Sequence, residues 1–324
     1  MPKSSPNWKL AVKLELFDLY SSNLSFLYPA FQGVFVCPLC LHEFKRDSIE
    51  RELTLEHIVA DALGGREYTL TCQRCNNTTG SQLEAELVHR SKTLRSILGL
   101  SNDPVAVQAD VDGHKFAATL HRSPENPSSS QIRAIPKASD PESIAAAVHA
   151  LEKGHRRIRV EERRGYHALR SKVAVIKLAY LLMFHHFGYG YILHENLDPV
   201  RSQINSPDQD LIASSAIGRL TKSWPQPNSI TLLYRPEELR CFYVMPDLYQ
   251  AVQVHLGVVM PGLDDAGGRI YERWTQYIEK NAEFEFSTHT LSPDTSIASD
   301  TRYAYLATWI WRQAGSLQPD HPSE

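Results

Sequence analysis

Two Cys-x-x-Cys pairs, Cys37/Cys40 and Cys72/Cys75, stand close together in a chain with one other cysteine, Cys241. Each pair lets two sulfurs point into one tight turn, and two such turns complete the tetrahedral thiolate site that zinc prefers. That requirement draws the residues between them into one small body. A redox pair of the thioredoxin kind is the poorer reading, because two pairs are present and neither opens a helix in a βαβ setting. Cys241 lies in a strand-like run and reads as a small core residue. In a chain of 324 residues, four closely paired cysteines out of five do not resemble a secreted disulfide scaffold. A reducing cytoplasm is the expected setting.

The rest of the composition removes alternatives. The net charge of -3 gives no global basic signature, so any nucleic-acid contact must come from a local patch. Lys9, Lys13, Glu15 and Asp18 interrupt the apolar residues from Trp8 to Tyr20, which excludes a signal peptide there. Val173–Phe187 is the most apolar stretch, but it is short and carries Lys177. It reads as a buried helix, and no membrane contact is expected.

Residues 8–20 fit helix or strand equally well. From Gly33 the pattern becomes strand-like: Val34–Val36 leads into the first Cys pair, Leu53–Val59 ends toward Gly64-Gly65, and Tyr68–Thr71 runs into the second pair. Ser81 with Glu84 three residues on has capping-box spacing and predicts a helix over Gln82–Leu98. Such a unit is too small to fold on hydrophobic burial alone, and metal-bound thiolates would supply the missing stability. Downstream, Val105–Val111 and Lys115–His121 flank Asp112-Gly113, a hairpin signal. Asp140-Pro141 starts a helix to about Lys153, and Tyr166–Phe187, Pro199–Ile204 and Asp208–Leu220 also look helical. Ile230–Tyr234, Leu239–Val244 and Ala251–Val259 look like strands. The expected class is α+β: an extension over residues 1–32, a zinc-braced domain over 33–100, and a larger mixed α+β domain over 101–324.

Between the cysteine pairs lies Leu55-Glu56-His57-Ile58-Val59, then Leu63-Gly64-Gly65, and after the last cysteine Asn76-Asn77-Thr78-Thr79-Gly80. The combination resembles the HNH endonucleases, in the subgroup whose ββα-metal fold is braced by four cysteines and zinc. The resemblance implies that His57 activates water as general base while Glu56 and Asn76, with Asn77 as substitute, hold a catalytic Mg²⁺ or Mn²⁺. The chemistry suits these residue types: His can take a proton from water at neutral pH, and a hard ion stabilises phosphate charge. Along a strand Glu56 and His57 point to opposite faces, so their convergence is implied by the family and not by spacing. Where the family has an Asn or His before the second Cys pair, this chain offers Glu67, Tyr68 and Thr69, and Thr79 stands where a Lys is often found.

The resemblance further implies phosphodiester hydrolysis, in DNA more than RNA, in restriction or phage defence. Arg156, Arg157, Arg159, Arg163 and Arg164 form the local basic cluster that could meet a nucleic-acid backbone, although Glu161 and Glu162 lie within it. Trp309 and Trp311 could close a core or serve a homodimer, and a regulatory protein is a further candidate partner. The competing reading is a non-catalytic zinc ribbon that binds nucleic acid or protein, which would need neither Glu56 nor His57.

Overall fold

Residues 8–27, open between helix and strand in the sequence, form helix α1 (Trp8–Leu27). No Pro or Gly interrupts them, and Phe17, Tyr20 and Leu24 recur on one buried face. The computed structural model describes residues 7–122, 124–126, 129–154, 157–163, 165, 167–220, 228–248, 255–265, 269–281, 285–292, 296–297, 310 and 312. Arg156, Arg164, Trp309 and Trp311 lie outside them.

Strands β1 (Val34–Val36) and β2 (Glu43–Lys45) pair antiparallel, with the first Cys pair in the turn between them. Helix α2 (Ile49–Glu52) leads into β3 (Leu53–His57), which pairs antiparallel with β4 (Tyr68–Cys72). The connection from β3 to β4 requires its glycines. Gly64 has φ +93, and a Cβ on Gly65 would lie 1.7 Å from the Val59 carbonyl oxygen.

A continuous helical run then begins at Gln73, nine positions before the expected start: α3 (Gln73–Thr79), a π turn over Gly80–Glu84, and α4 (Ala85–Ile97). The knuckle itself supplies the cap, because Cys72 Sγ accepts from the Cys75 backbone N–H at 3.4 Å. Ser81, the expected cap, instead lies inside the run and donates to the Thr78 carbonyl at 3.1 Å. Asn76 and Asn77 are therefore helical residues.

The chain divides into two compact units, residues 1–85 with 168–324, and residues 86–167. This differs from the expected boundary at residue 100. The inserted unit holds a four-stranded antiparallel sheet in the order β7-β6-β5-β8: β5 (Val105–Val111), β6 (His114–His121), β7 (Gln131–Ala134) and β8 (Ile158–Glu162). The hairpin turns at Asp112 (φ 53) and Gly113 (φ 88), the positive angles that the Asp-Gly signal predicts. Helix α5 (Pro141–Glu152) is capped by Asp140, which accepts from Ser143 N at 2.9 Å, and lays Ala147 and Ala150 on Val107, Val111 and Phe116. Much of the basic run is β8, where Arg157, Arg159 and Arg163 are exposed within or beside the strand.

In the other unit the chain resumes with α6 (Ala168–Phe187), as expected, followed by α7 (Tyr189–Ile192) and α8 (Asp198–Asn205). Residues 208–220 are not the expected helix. The Gln203 side chain accepts from Leu211 N and Ile212 N and donates to the Gln209 carbonyl, which satisfies the backbone of an irregular segment. β9 (Ile217–Leu220) then joins an antiparallel sheet in the order β13-β10-β11-β12-β9, with β10 (Ser229–Arg235), β11 (Cys241–Met245), β12 (His255–Met260) and β13 (Ser287–Thr290). Helix α9 (Ile270–Lys280) buries Tyr271 and Trp274. Cys241 is fully buried in β11, as its place in an apolar run suggests.

The helices after the insertion grip the first knuckle. Tyr180 donates to the Pro38 carbonyl at 2.8 Å, Asn205 to the Leu39 carbonyl at 3.1 Å, and Tyr189 to the Val36 carbonyl at 2.6 Å while accepting from Val36 N. Tyr20 of α1 stacks on Phe184 of α6 with ring centroids 4.2 Å apart. A hairpin this short cannot satisfy its own backbone, so it borrows partners from α6, α7 and α8. Tyr189→Phe removes both bonds to Val36, and denaturant unfolding is expected to show a loss of about 2 kcal/mol.

Candidate active site

The hairpin β1/β2 and the β4–α3 junction bring Cys37, Cys40, Cys72 and Cys75 together, with all four Sγ atoms within 4.8 Å of one another. Among the described residues no other group of three or more His, Cys, Asp and Glu side chains has ligating spacing. Cys37 Sγ accepts from Cys72 N and Cys72 Sγ from Cys75 N, both at 3.4 Å, so a backbone donor faces each of these sulfurs. Hydrogen bonding from Cys37 brings the Cys72 thiol down to about 7. This donor set fits zinc, whose binding would tie the β1/β2 turn to the start of α3.

β3 runs past this cluster with its side chains on two different faces. His57 lines a cleft of about 580 Å³ with Trp8, Lys9, Lys13, Glu50, Asp61 and Tyr68. Opposite His57 in the strand register stands Tyr68, and the two rings lie 4.4 Å apart. Tyr68 in turn lies 6.0 Å from the Trp8 ring. Lys13, which donates to the Leu53 and Ile49 carbonyls, fastens α1 to the strand that carries His57.

Glu56 points the other way and is 2% exposed. Its Oε1 accepts from Lys177 Nζ of α6, and the same ammonium donates to Glu84 at the end of the π turn. Lys177 is wholly buried. Burial pushes the Glu56 carboxyl up to about 7 against the pull of Lys177. Burial also opposes the ammonium, but Glu56 and Glu84 together hold its pKa above that of an ordinary lysine.

Residues 37–92 match the family model described as HNH endonuclease. This segment is an HNH endonuclease domain. No curated protein and no solved structure matches the chain. The HNH match ends within α4, so α1, α6 and Lys177 lie outside it.

The remaining expected site residues fall as follows. Asn76 is half-buried on α3 and donates its amide to the Leu55 carbonyl at 3.4 Å. Asn77 is exposed on the same helix. Of the three candidates for the family's middle residue, Tyr68 packs against His57 with the ring planes tilted by 48°, Thr69 is buried with its hydroxyl 2.9 Å from Tyr20 Oη, and Glu67 accepts from Asn228 at 3.0 Å. Thr79, where a Lys was expected, is buried and donates to the Cys75 carbonyl. Arg157, Arg159 and Arg163 belong to the inserted unit.

A catalytic divalent ion does not fit at Glu56 as it stands, because Lys177 engages its carboxylate in a buried place; at Asn76 the bond to Leu55 uses the amide nitrogen and not the oxygen that would ligate an ion. Lys177 and Glu84 were missed by the sequence reading. The one signal was a lysine in the most apolar helix of the chain, which must find a counter-charge. Cys72→Ser is expected to abolish bound zinc, measured by metal analysis of the purified protein, with the first knuckle and its tyrosine partners losing order together. Lys177→Ala leaves the buried Glu56 carboxylate and the partly buried Glu84 carboxylate without their cation and should cost ~3–5 kcal/mol in denaturant unfolding.

Proposed function

We propose that the protein hydrolyses phosphodiester bonds in nucleic acid, with His57 as general base. The reading is carried by one observation: within an HNH segment, His57 lines the cleft while the adjacent strand residue is buried behind it. In this reaction His57 takes a proton from water as the water oxygen forms a bond to phosphorus. The bond from phosphorus to the leaving oxygen breaks in line, and the leaving oxygen acquires a proton from solvent. Tyr68, packed at a tilt against the ring, fixes the orientation of the imidazole in place of the family's middle Asn or His. Lys9 at the cleft can meet the phosphate backbone, and Trp8 offers a face to a base.

DNA as the preferred substrate, dependence on Mg²⁺ or Mn²⁺, a reducing cytoplasmic setting and a role in restriction or phage defence complete the proposal on the strength of the family. No step is assigned to an ion at Glu56. Arg157, Arg159 and Arg163 are proposed as further backbone contacts, since a cluster of exposed guanidinium groups suits phosphate. A second reading, a zinc-braced module that binds nucleic acid or a protein without cutting, is favoured by the engagement of Glu56 with Lys177.

Plasmid DNA and structured RNA incubated with the protein in Mg²⁺ or Mn²⁺, beside a His57→Ala variant that retains its zinc, separate the readings. The nuclease reading expects cleavage that falls by ~10²–10⁴-fold in the variant. Equal cutting by both proteins would remove His57 from the base role, and cutting by neither would favour the binding module.

A further inference from the structure

Lys177 sits in the middle of α6, between Ile176 and Leu178, both fully buried, and is itself 0% exposed. An ammonium in such a place is tolerable only if carboxylates surround it. Glu56 from β3 and Glu84 from the π turn do so, one on each side in sequence of the second cysteine pair. The π turn is part of the device: it opens the helical run at Gly80–Glu84, where the segment packs on α6.

Glu56 has little left to offer a second cation. One oxygen accepts from Lys177, and the other, Oε2, is buried with no hydrogen-bond partner. A hard divalent ion keeps several waters and needs several oxygens around it. At 2% exposure Glu56 gives water no room, and the ammonium already beside it would repel a dication.

We infer that Lys177 is the resident cation of the Glu56/Glu84 pair, occupying the charge position that a divalent ion would take, and that Glu56 is a positioning residue. Held on α6 by this ion pair, Glu56 fixes the end of β3, and the next residue, His57, is thereby turned to the cleft on the opposite face. The inference concerns ion binding and does not depend on whether the protein cuts nucleic acid. Its test therefore reads bound metal and not cleavage.

Mn²⁺ titration followed by electron paramagnetic resonance, on zinc-loaded full-length protein, compares wild type with Glu56→Gln and Lys177→Ala, the latter removing the side-chain volume as well as the charge and so making room for an ion and its water. Thiolates retain zinc in preference to Mn²⁺, so the knuckle does not interfere. The number of bound Mn²⁺ ions and their affinity are expected to agree between wild type and Glu56→Gln, whereas loss of a genuine ligand would lower affinity by ~10-fold or more. Lys177→Ala is expected to gain one Mn²⁺ site that disappears again when Glu56→Gln is added. Wild-type Mn²⁺ binding that is lost in Glu56→Gln would overturn the inference, and so would a folded Lys177→Ala protein that gains no site. Should Lys177→Ala not fold, the comparison of wild type with Glu56→Gln decides the matter alone.

Discussion

A lysine ammonium with no access to water has to be neutralised inside the protein, and here Glu56 and Glu84 do so for Lys177. The two carboxylates come from the HNH segment and the ammonium from a helix 121 residues beyond Glu56 and 93 beyond Glu84 along the chain. Removing Lys177 would leave carboxylate charge without its cation, so the triad sets the seat of β3 and the π turn against α6. That seat decides what each side of β3 can do. The buried side is electrostatically committed, and the other side presents His57 to the cleft beside Tyr68.

The cysteine cluster works in the same direction from the other end of the hairpin. Zinc would join the β1/β2 turn to the β4–α3 junction, while Tyr180, Tyr189 and Asn205 bind the backbone of the first knuckle from α6, α7 and α8. The HNH segment is thus built into a larger body, residues 1–85 with 168–324, and the 86–167 unit is an insertion in it. A short ββα segment gains rigidity from tyrosine hydroxyls and from one ion-pair triad, and would gain more from metal at the cysteines.

Local signals in the sequence were legible wherever the chemistry was local. The paired cysteines, the Asp112-Gly113 turn and the Asp140 cap each follow from a few neighbouring residues, and each appears as the sequence implies. The Ser81 cap did not, because Cys72 starts the helix first and a sulfur cap has no side-chain oxygen to announce it. Residues 208–220 were misread as helix because their irregular backbone is satisfied from outside, by Gln203. The unit boundary was hidden for the same reason: α1 and α6 meet the HNH segment through contacts between distant parts of the chain, which periodicity does not encode. At the site, the spacing argument that Glu56 and His57 face opposite ways holds, and the partner that explains the buried one, Lys177, lay beyond any motif.

Anomalous diffraction from crystals of the zinc-loaded protein soaked in Mn²⁺ tests the central claim most directly. The account predicts a zinc peak among Cys37, Cys40, Cys72 and Cys75, no manganese peak at Glu56, and density joining the Glu56 carboxylate to the Lys177 ammonium. A manganese peak on Glu56 with Lys177 displaced from it would contradict the account.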